Sequence, residues 1–305
     1  MTRAAARSVT RDLDLQTAEV FRLLDLAAEV KRHPERFREA LRGKCVALLF
    51  EKPSLRTRLT FEVAAMQLGA GSIFSAGPVA DREPIKDVAR NLDRWTNCVV
   101  ARTFSQWTID ELARWSGSPV INALSDLYHP CQALADVFTL KERYGDLAGR
   151  RLAFVGDGNN VAHSLMLTAS RLGVNVGVAT PKGYEPKAEI VQTARELAAA
   201  AGATLTVSSD PDEVLGGADA VYTDVWASMG QEGQREQRLK DFRNYQVDMS
   251  LMSKAGPEAV FMHCLPAKRG EEVSDEVIES PRSVVFDQAE NRLHAQKALL
   301  LMLLA

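Results

Sequence analysis

Short β-branched or apolar runs alternate with longer helical stretches along almost the whole chain. The runs at 45–50, 71–75, 98–102 and 119–122, then 151–156, 175–180, 204–207, 220–223 and 260–263, have the length and residue types of strands. Helical spacing fills 57–68, 108–115, 164–172 and 186–201 between them. Gly69, Gly173 and Gly202 stop three of these helices, and Thr108 and Glu111 have the spacing of a capping box. Strands alternating with helices predict parallel sheets covered on both faces. The rhythm breaks once, at 129–144, where one long helix is followed by the loop 145–149 and a fresh strand. That helix is the expected bridge between two doubly wound parallel-sheet α/β domains, 1–140 and 141–287. The segment 288–305 is apolar at helical spacing and is expected to pack back on the first domain. The polar stretch 227–245 is dense in charged side chains, has no strand signal, and is expected to be a long functional loop.

The chain has 305 residues, 46% of them apolar and 25% charged, which suits two ordinary globular domains. With 37 Lys+Arg against 40 Asp+Glu and no basic tract, counterion-driven binding to nucleic acid is not expected. Any anion must therefore meet a local cluster. Cys45, Cys98, Cys131 and Cys264 form no C-x-x-C pair, so reduced thiols are expected and a metal site is not. The longest apolar run, 298–305, has eight residues where a bilayer span takes about twenty, so no membrane helix is expected. A cytoplasmic location is the expectation. The Arg-bearing, acid-free stretch before Asp12 leaves an organellar presequence as the minor alternative.

Several short segments carry candidate chemistry. Lys52-Pro53-Ser54-Leu55-Arg56-Thr57-Arg58 lies between a strand and a helix, where free N–H groups, hydroxyls and guanidinium forks match phosphate. An ordinary N-cap with solvated arginines is the competing reading. His129-Pro130-Cys131-Gln132 opens the bridging helix, and an imidazole donor there can polarise a carbonyl oxygen. His263-Cys264-Leu265-Pro266 follows a strand, at the end of a parallel sheet where ligands bind. Neither a cysteine nucleophile nor a metal site is read there, because adjacent side chains of extended chain point apart and no base has suitable local spacing. Asp224, with Ser228 nearby, suits a substrate ammonium group. Gly156-Asp157-Gly158-Asn159-Asn160 resembles a dinucleotide fingerprint but has Val161 where the third glycine belongs. Its asparagines suit a small polar ligand instead.

Taken together, Ser54-Leu-Arg-Thr-Arg58, His129-Pro-Cys-Gln132, Asp224-x-x-x-Ser228-Met-Gly230 and His263-Cys-Leu-Pro266, in that order, resemble the aspartate/ornithine transcarbamoylase family over essentially the whole chain. The last two motifs are similar to those of its ornithine-specific members. The resemblance implies that the first domain binds carbamoyl phosphate and the second L-ornithine, with citrulline and phosphate as products and no cofactor. It implies Ser54, Arg56 and Thr57 on the phosphate, Leu55 contributing its backbone N–H where family members carry a hydroxyl, and Arg102 between phosphate and carbonyl. His129 would donate to the carbonyl oxygen, Gln132 would hold the carbamoyl amide, and Cys264, Leu265 and Arg292 would close the site. Catalysis would rest on Arg56, Arg102, His129 and Cys264. Asn160, Asp224, Ser228 and Met229 match ornithine-contacting positions. The arginines at 56, 58, 102 and 292 would gather around one small dianion. The family forms homotrimers in which a loop after the second strand reaches a neighbouring subunit, often with a glutamine; here 77–83 has none.

Overall fold

The computed structural model describes residues 7–227 and 232–305. They divide into two compact units, Met1–Phe138 with Glu290–Ala305, and Thr139–Ala289. The first contains α1 (Thr17–Arg32), β1 (Cys45–Phe50), α2 (Leu55–Gln67), β2 (Gly71–Ala76), α3 (Ile85–Trp95), β3 (Cys98–Arg102), α4 (Gln106–Trp115) and β4 (Val120–Leu124). Helix α5 (Pro130–Tyr144) leads into the second unit. There follow β5 (Arg151–Val155), α6 (Asn160–Ser170), β6 (Asn175–Ala179), α7 (Ala188–Ala200), β7 (Leu205–Ser208), α8 (Asp212–Leu215) and β8 (Ala220–Thr223). The chain continues through α9 (Arg235–Asp241), α10 (Met249–Lys254), β9 (Val260–His263) and α11 (Asp275–Glu279), and α12 (Val285–Leu304) returns it to the first unit.

Both sheets are parallel throughout, four strands in the order β2-β1-β3-β4 and five in the order β7-β6-β5-β8-β9. All five residues of β3 and all four of β8 and of β9 are buried. Side chains alternate between faces along a strand, so full burial means that helices cover both faces. This is the doubly wound architecture that the alternating pattern predicts. Val46, Val99 and Val120 are among the fully buried residues of the first sheet, and Phe154, Val221 and Phe261 of the second.

Each sheet has one place where the strand order reverses, between β1 and β3 in the first and between β5 and β8 in the second. Crossovers leave these two points in opposite directions, which opens a crevice at the carboxyl ends of the strands. The loops that begin at residues 51, 103, 156 and 224 all start there.

Helix boundaries differ from the sequence pattern where side-chain caps override periodicity. Ser105, not Thr108, caps α4, its side chain accepting the Trp107 N–H. Asn159 caps α6 through the Val161 and Ala162 N–H groups, so the helix begins four residues before 164. The described part of the stretch 227–245 is not an unstructured loop: residues 232–245 contain α9 and two short 3-10 turns, Glu232–Gln234 and Arg243–Tyr245. Arg238 explains the departure, because its buried guanidinium ties this polar helix to the body. Helices α1 and α3 lie outside the segments singled out by the pattern. In α1 the period is nonetheless plain, with Val20, Leu23, Leu24, Ala27 and Val30 all fully buried.

Candidate functional site

In the first unit the reversal point is furnished from four directions. Ser54 is the N-cap of α2, with extended backbone and its Oγ accepting the Thr57 N–H at 3.3 Å. The competing N-cap reading is thus realised, yet it leaves the Ser54 hydroxyl proton and the other first-turn N–H groups for an anion. Leu55 exposes 70% of its surface while its backbone stands in that first turn. Arg102 is buried at the end of β3, beside Phe50 in the ladder.

Arg292, on α12 and 3% exposed, donates from Nη2 to Thr57 Oγ1 at 3.0 Å and from Nη1 to Gln132 Oε1 at 2.6 Å. It therefore ties the start of α2 to the start of α5. Gln132 is held at its other end, Nε2 donating to Asp136 Oδ1 at 2.8 Å. A Gln132 carbonyl so oriented keeps a second lone pair for a ligand N–H. His129 is buried, and burial first, then the charges of Arg292 and Arg102, hold its pKa well below the usual imidazole value. The ring is neutral at physiological pH, a donor through one nitrogen only. Arg58 does not join this group: it pairs with Glu62 at 2.9 Å and lies 3.7 Å from the centroid of Phe74. Position 58 follows the helix surface, where an i,i+4 carboxylate competes for it.

Glu51 is a residue the motif does not flag. Its Oε1 accepts the Val79 N–H at 3.1 Å and its Oε2 the Phe104 N–H at 2.8 Å, while its own N–H donates to the Arg102 carbonyl. One carboxylate thus braces the loop after β2 and the loop after β3 against the end of β1.

In the second unit the crevice centres on Asp224, 6% exposed at the end of β8. Its Oδ2 accepts from Asn159 Nδ2 at 2.8 Å; its Oδ1 accepts from the Val225 N–H at 2.8 Å and from Cys264 Sγ at 3.0 Å. Asn159, one of the two asparagines that suit a small polar ligand by sequence, engages its amide within the protein, capping α6 and holding Asp224. Asn160 is the first residue of α6 and half-buried. Cys264 and Leu265 lie in this second unit. Ser228 and Met229 lie outside the described residues.

A polar partner does stand beside Cys264, forty residues away in sequence and invisible to local spacing. Asp224, His263 and Cys264 bring one potential ligand atom each within 4.8 Å of one another. Hydrogen bonds already engage them. His263 Nδ1 accepts the Leu265 N–H at 2.8 Å, so Nε2 carries the proton and faces Glu272 Oε1 at 3.1 Å. Both ring nitrogens are committed to shaping the turn, in which Leu265 adopts φ +56. The geometry is that of a carboxylate held by three donors, with the neighbouring imidazole already committed at both nitrogens.

Each unit thus presents polar groups at its own reversal point, one set rich in hydroxyls, N–H groups and arginines and one centred on a carboxylate. Residues 7–142 match the model of the aspartate/ornithine carbamoyltransferase carbamoyl-phosphate binding domain, and residues 148–303 match that of the Asp/Orn binding domain. The chain belongs to the aspartate/ornithine carbamoyltransferase family. It is 52% identical to the ornithine carbamoyltransferase of Thermus thermophilus over 94% of this chain and 93% of that one. The ornithine carbamoyltransferase structure from Pyrococcus furiosus superposes with a TM-score of 0.95 at 45% identity, covering 100% of this chain and 99% of that one. An acetylornithine transcarbamylase complexed with acetylcitrulline also superposes, with a TM-score of 0.87 at 32% identity over 97% of this chain and 98% of that one. Fold alone therefore does not choose the amine, and side chains must.

Proposed function

We propose that the protein transfers the carbamoyl group of carbamoyl phosphate to the δ-amine of L-ornithine, giving L-citrulline and phosphate. The observation that carries the choice of amine is the buried Asp224 carboxylate, held by Asn159, Cys264 and the Val225 N–H. A free α-ammonium group pairs with such a carboxylate, whereas an acetylated nitrogen carries no charge to offer it. The roughly half-identical curated relatives carry the ornithine name, which supports the same reading.

The first unit takes carbamoyl phosphate. Ser54, the N–H groups of Leu55 and Arg56, the Thr57 hydroxyl, and the side chains of Arg56 and Arg102 hold its phosphate, and Arg292 adds charge from α12. The neutral His129 donates to the carbonyl oxygen, and Gln132 accepts from the carbamoyl NH2. Asn160, Asp224, Ser228 and Met229 address the amino acid, and Cys264 and Leu265 border the reacting groups.

The attacking amine, with a pKa of about 10.4 like that of lysine, is neutral in only about one molecule in 2,500 at pH 7. Productive binding selects that form. Its lone pair forms the new C–N bond, and the electrons of the carbonyl rest on the oxygen facing His129 and Arg102. They return as the C–O bond to phosphate breaks, and the proton lost from the amine balances the departing phosphate as hydrogen phosphate. Each donor aimed at the oxyanion supplies about 3–4 kcal/mol, by analogy with other oxyanion holes. Family kinship supports assembly as a homotrimer, and we place the enzyme in the cytoplasm.

Purified protein incubated with carbamoyl phosphate and L-ornithine is expected to produce citrulline stoichiometrically with phosphate. A panel containing acetylornithine and putrescine should give rates at least a hundredfold lower. Absence of citrulline, with rapid carbamoylation of either other amine, overturns the assignment.

A further inference from the structure

The two segments that carry Asn159 and Asp224 are tied together by a residue of the polar stretch 227–245. Arg238, on the short helix α9, is 6% exposed, and its Nη1 lies 2.9 Å from Asp157 Oδ2 and 2.7 Å from the Trp226 carbonyl oxygen. Its guanidinium carbon stands 4.8 Å from the ring centroid of Tyr184. Asp157 is two residues before Asn159, and Trp226 is two residues after Asp224. The Asn159–Asp224 hydrogen bond of 2.8 Å joins the same two segments at their other ends. The contacts form a ring: Arg238, Asp157, Asn159, Asp224, Trp226 and back to Arg238.

We infer that Arg238 is a positioning residue for ornithine, fixing through Asp157 and Trp226 the two backbone segments that present Asn160 and the Asn159-held Asp224 to the substrate. The inference rests on the ornithine reading for its substrate, though not for its geometry. Its chemistry is particular to arginine. The guanidinium serves the carboxylate and the carbonyl through Nη1 and donates from Nε to Gln234 Oε1 at 3.3 Å while lying over Tyr184, whereas lysine offers a compact, strongly hydrated point charge. The nearby side chain of Trp226 is itself pinned, stacked on Phe242 with centroids 5.7 Å apart. Disturbing Arg238 therefore releases the backbone at 224–227 more than the core beneath it.

The pair is also sensitive to pH. Asp157 titrates at about 6, raised chiefly by burial and further by the charge of Asp224, against the lowering effect of Arg238. Tyr184 faces the same group from the segment before α7 and is neutral in this range. Below about pH 6 Asp157 takes up a proton, the ion pair loses one charge, and the ring loosens. Removing Arg238 removes the lowering contribution, so protonation of Asp157 moves to higher pH.

The test uses the full-length protein and its Arg238→Ala, Arg238→Lys and Asp157→Asn variants. Arg238→Ala and Arg238→Lys should raise KM for ornithine about tenfold or more while KM for carbamoyl phosphate stays within about twofold. Asp157→Asn keeps the shape and loses the charge, and should raise KM for ornithine about threefold to tenfold. The parent should lose kcat/KM for ornithine below pH 6 more steeply than amine protonation requires, and Asp157→Asn should lack that extra step. Hydrogen exchange should quicken at 224–227 and 159–162 in the arginine variants, with the first-unit part of α12 unchanged. Equal rises in both KM values, or unchanged ornithine KM in a folded variant, overturn the inference. If the parent prefers another amine, the substrate assignment fails instead, and the exchange pattern still decides the role of Arg238.

Discussion

At the scale of single residues, the site is made as much by groups that hold backbone as by groups that face a ligand. Ser54, Arg56, His129, Gln132 and Cys264 are legible because short motifs name them. Glu51 and Arg238 are not, because the partners of Glu51 lie 28 and 53 residues away and the ion-pair partner of Arg238, Asp157, lies 81 residues away. The same distance hides the Cys264–Asp224 contact, which joins residues 40 apart. Arg58 errs the other way, since a motif arginine is spent on its own helix surface. Glu51 yields a sharp expectation. Both its oxygens accept backbone N–H groups, so Glu51→Gln sets an NH2 donor against an N–H donor on one side and frees one loop. KM for carbamoyl phosphate should rise about fivefold or more and KM for ornithine should stay within about twofold, read by steady-state kinetics. Unchanged carbamoyl phosphate kinetics would show that the brace does not shape the cradle.

At the scale of elements, the strands were readable because parallel strands buried on both faces are continuous apolar runs. Helix ends were less so, because a single side-chain cap moves a boundary by a turn, as Asn159 does in α6. The Gly156–Asn160 stretch shows how a glycine motif can mislead. Gly158 serves chain packing: a Cβ there would lie 2.3 Å from Pro186 N, 2.5 Å from Glu185 C and 2.6 Å from Tyr184 O. All three are backbone atoms that cannot swing away. Its N–H also donates to the Tyr184 carbonyl at 2.9 Å, so the close approach is part of the fold. Gly158→Ala should destabilise the protein by about 2–3 kcal/mol through overpacking, lowering Tm by about 5–10 °C. Gly216→Ala, where nothing lies within 4 Å, should stay within about 0.5 kcal/mol. Calorimetry of the two variants makes the comparison, and equal Tm values would remove the packing explanation.

At the scale of the whole molecule, the proposed homotrimer needs a surface that neighbouring subunits cover, and the first unit offers a candidate. Strand β2 is an edge strand whose residues are mostly exposed, with Ile73 at 60%. Helix α2 packs beside it and exposes Leu55, Leu59 and Met66, at 70%, 47% and 67%. A bare edge flanked by large apolar side chains is a pairing liability unless another chain covers it. A closed ring of three identical subunits covers such a flank without leaving a free copy of it. Each subunit then buries the flank once, so one substitution is felt at all three interfaces. Burying one such side chain is worth about 1.5–3 kcal/mol, and replacing it with a charge adds a desolvation cost. The parent should sediment at three times the chain mass at micromolar concentration. Ile73→Lys and Met66→Glu should shift it towards the single chain with little change in circular dichroism. A parent that sediments as a single chain, or charge variants that remain trimeric, would place the subunit contacts elsewhere or remove them.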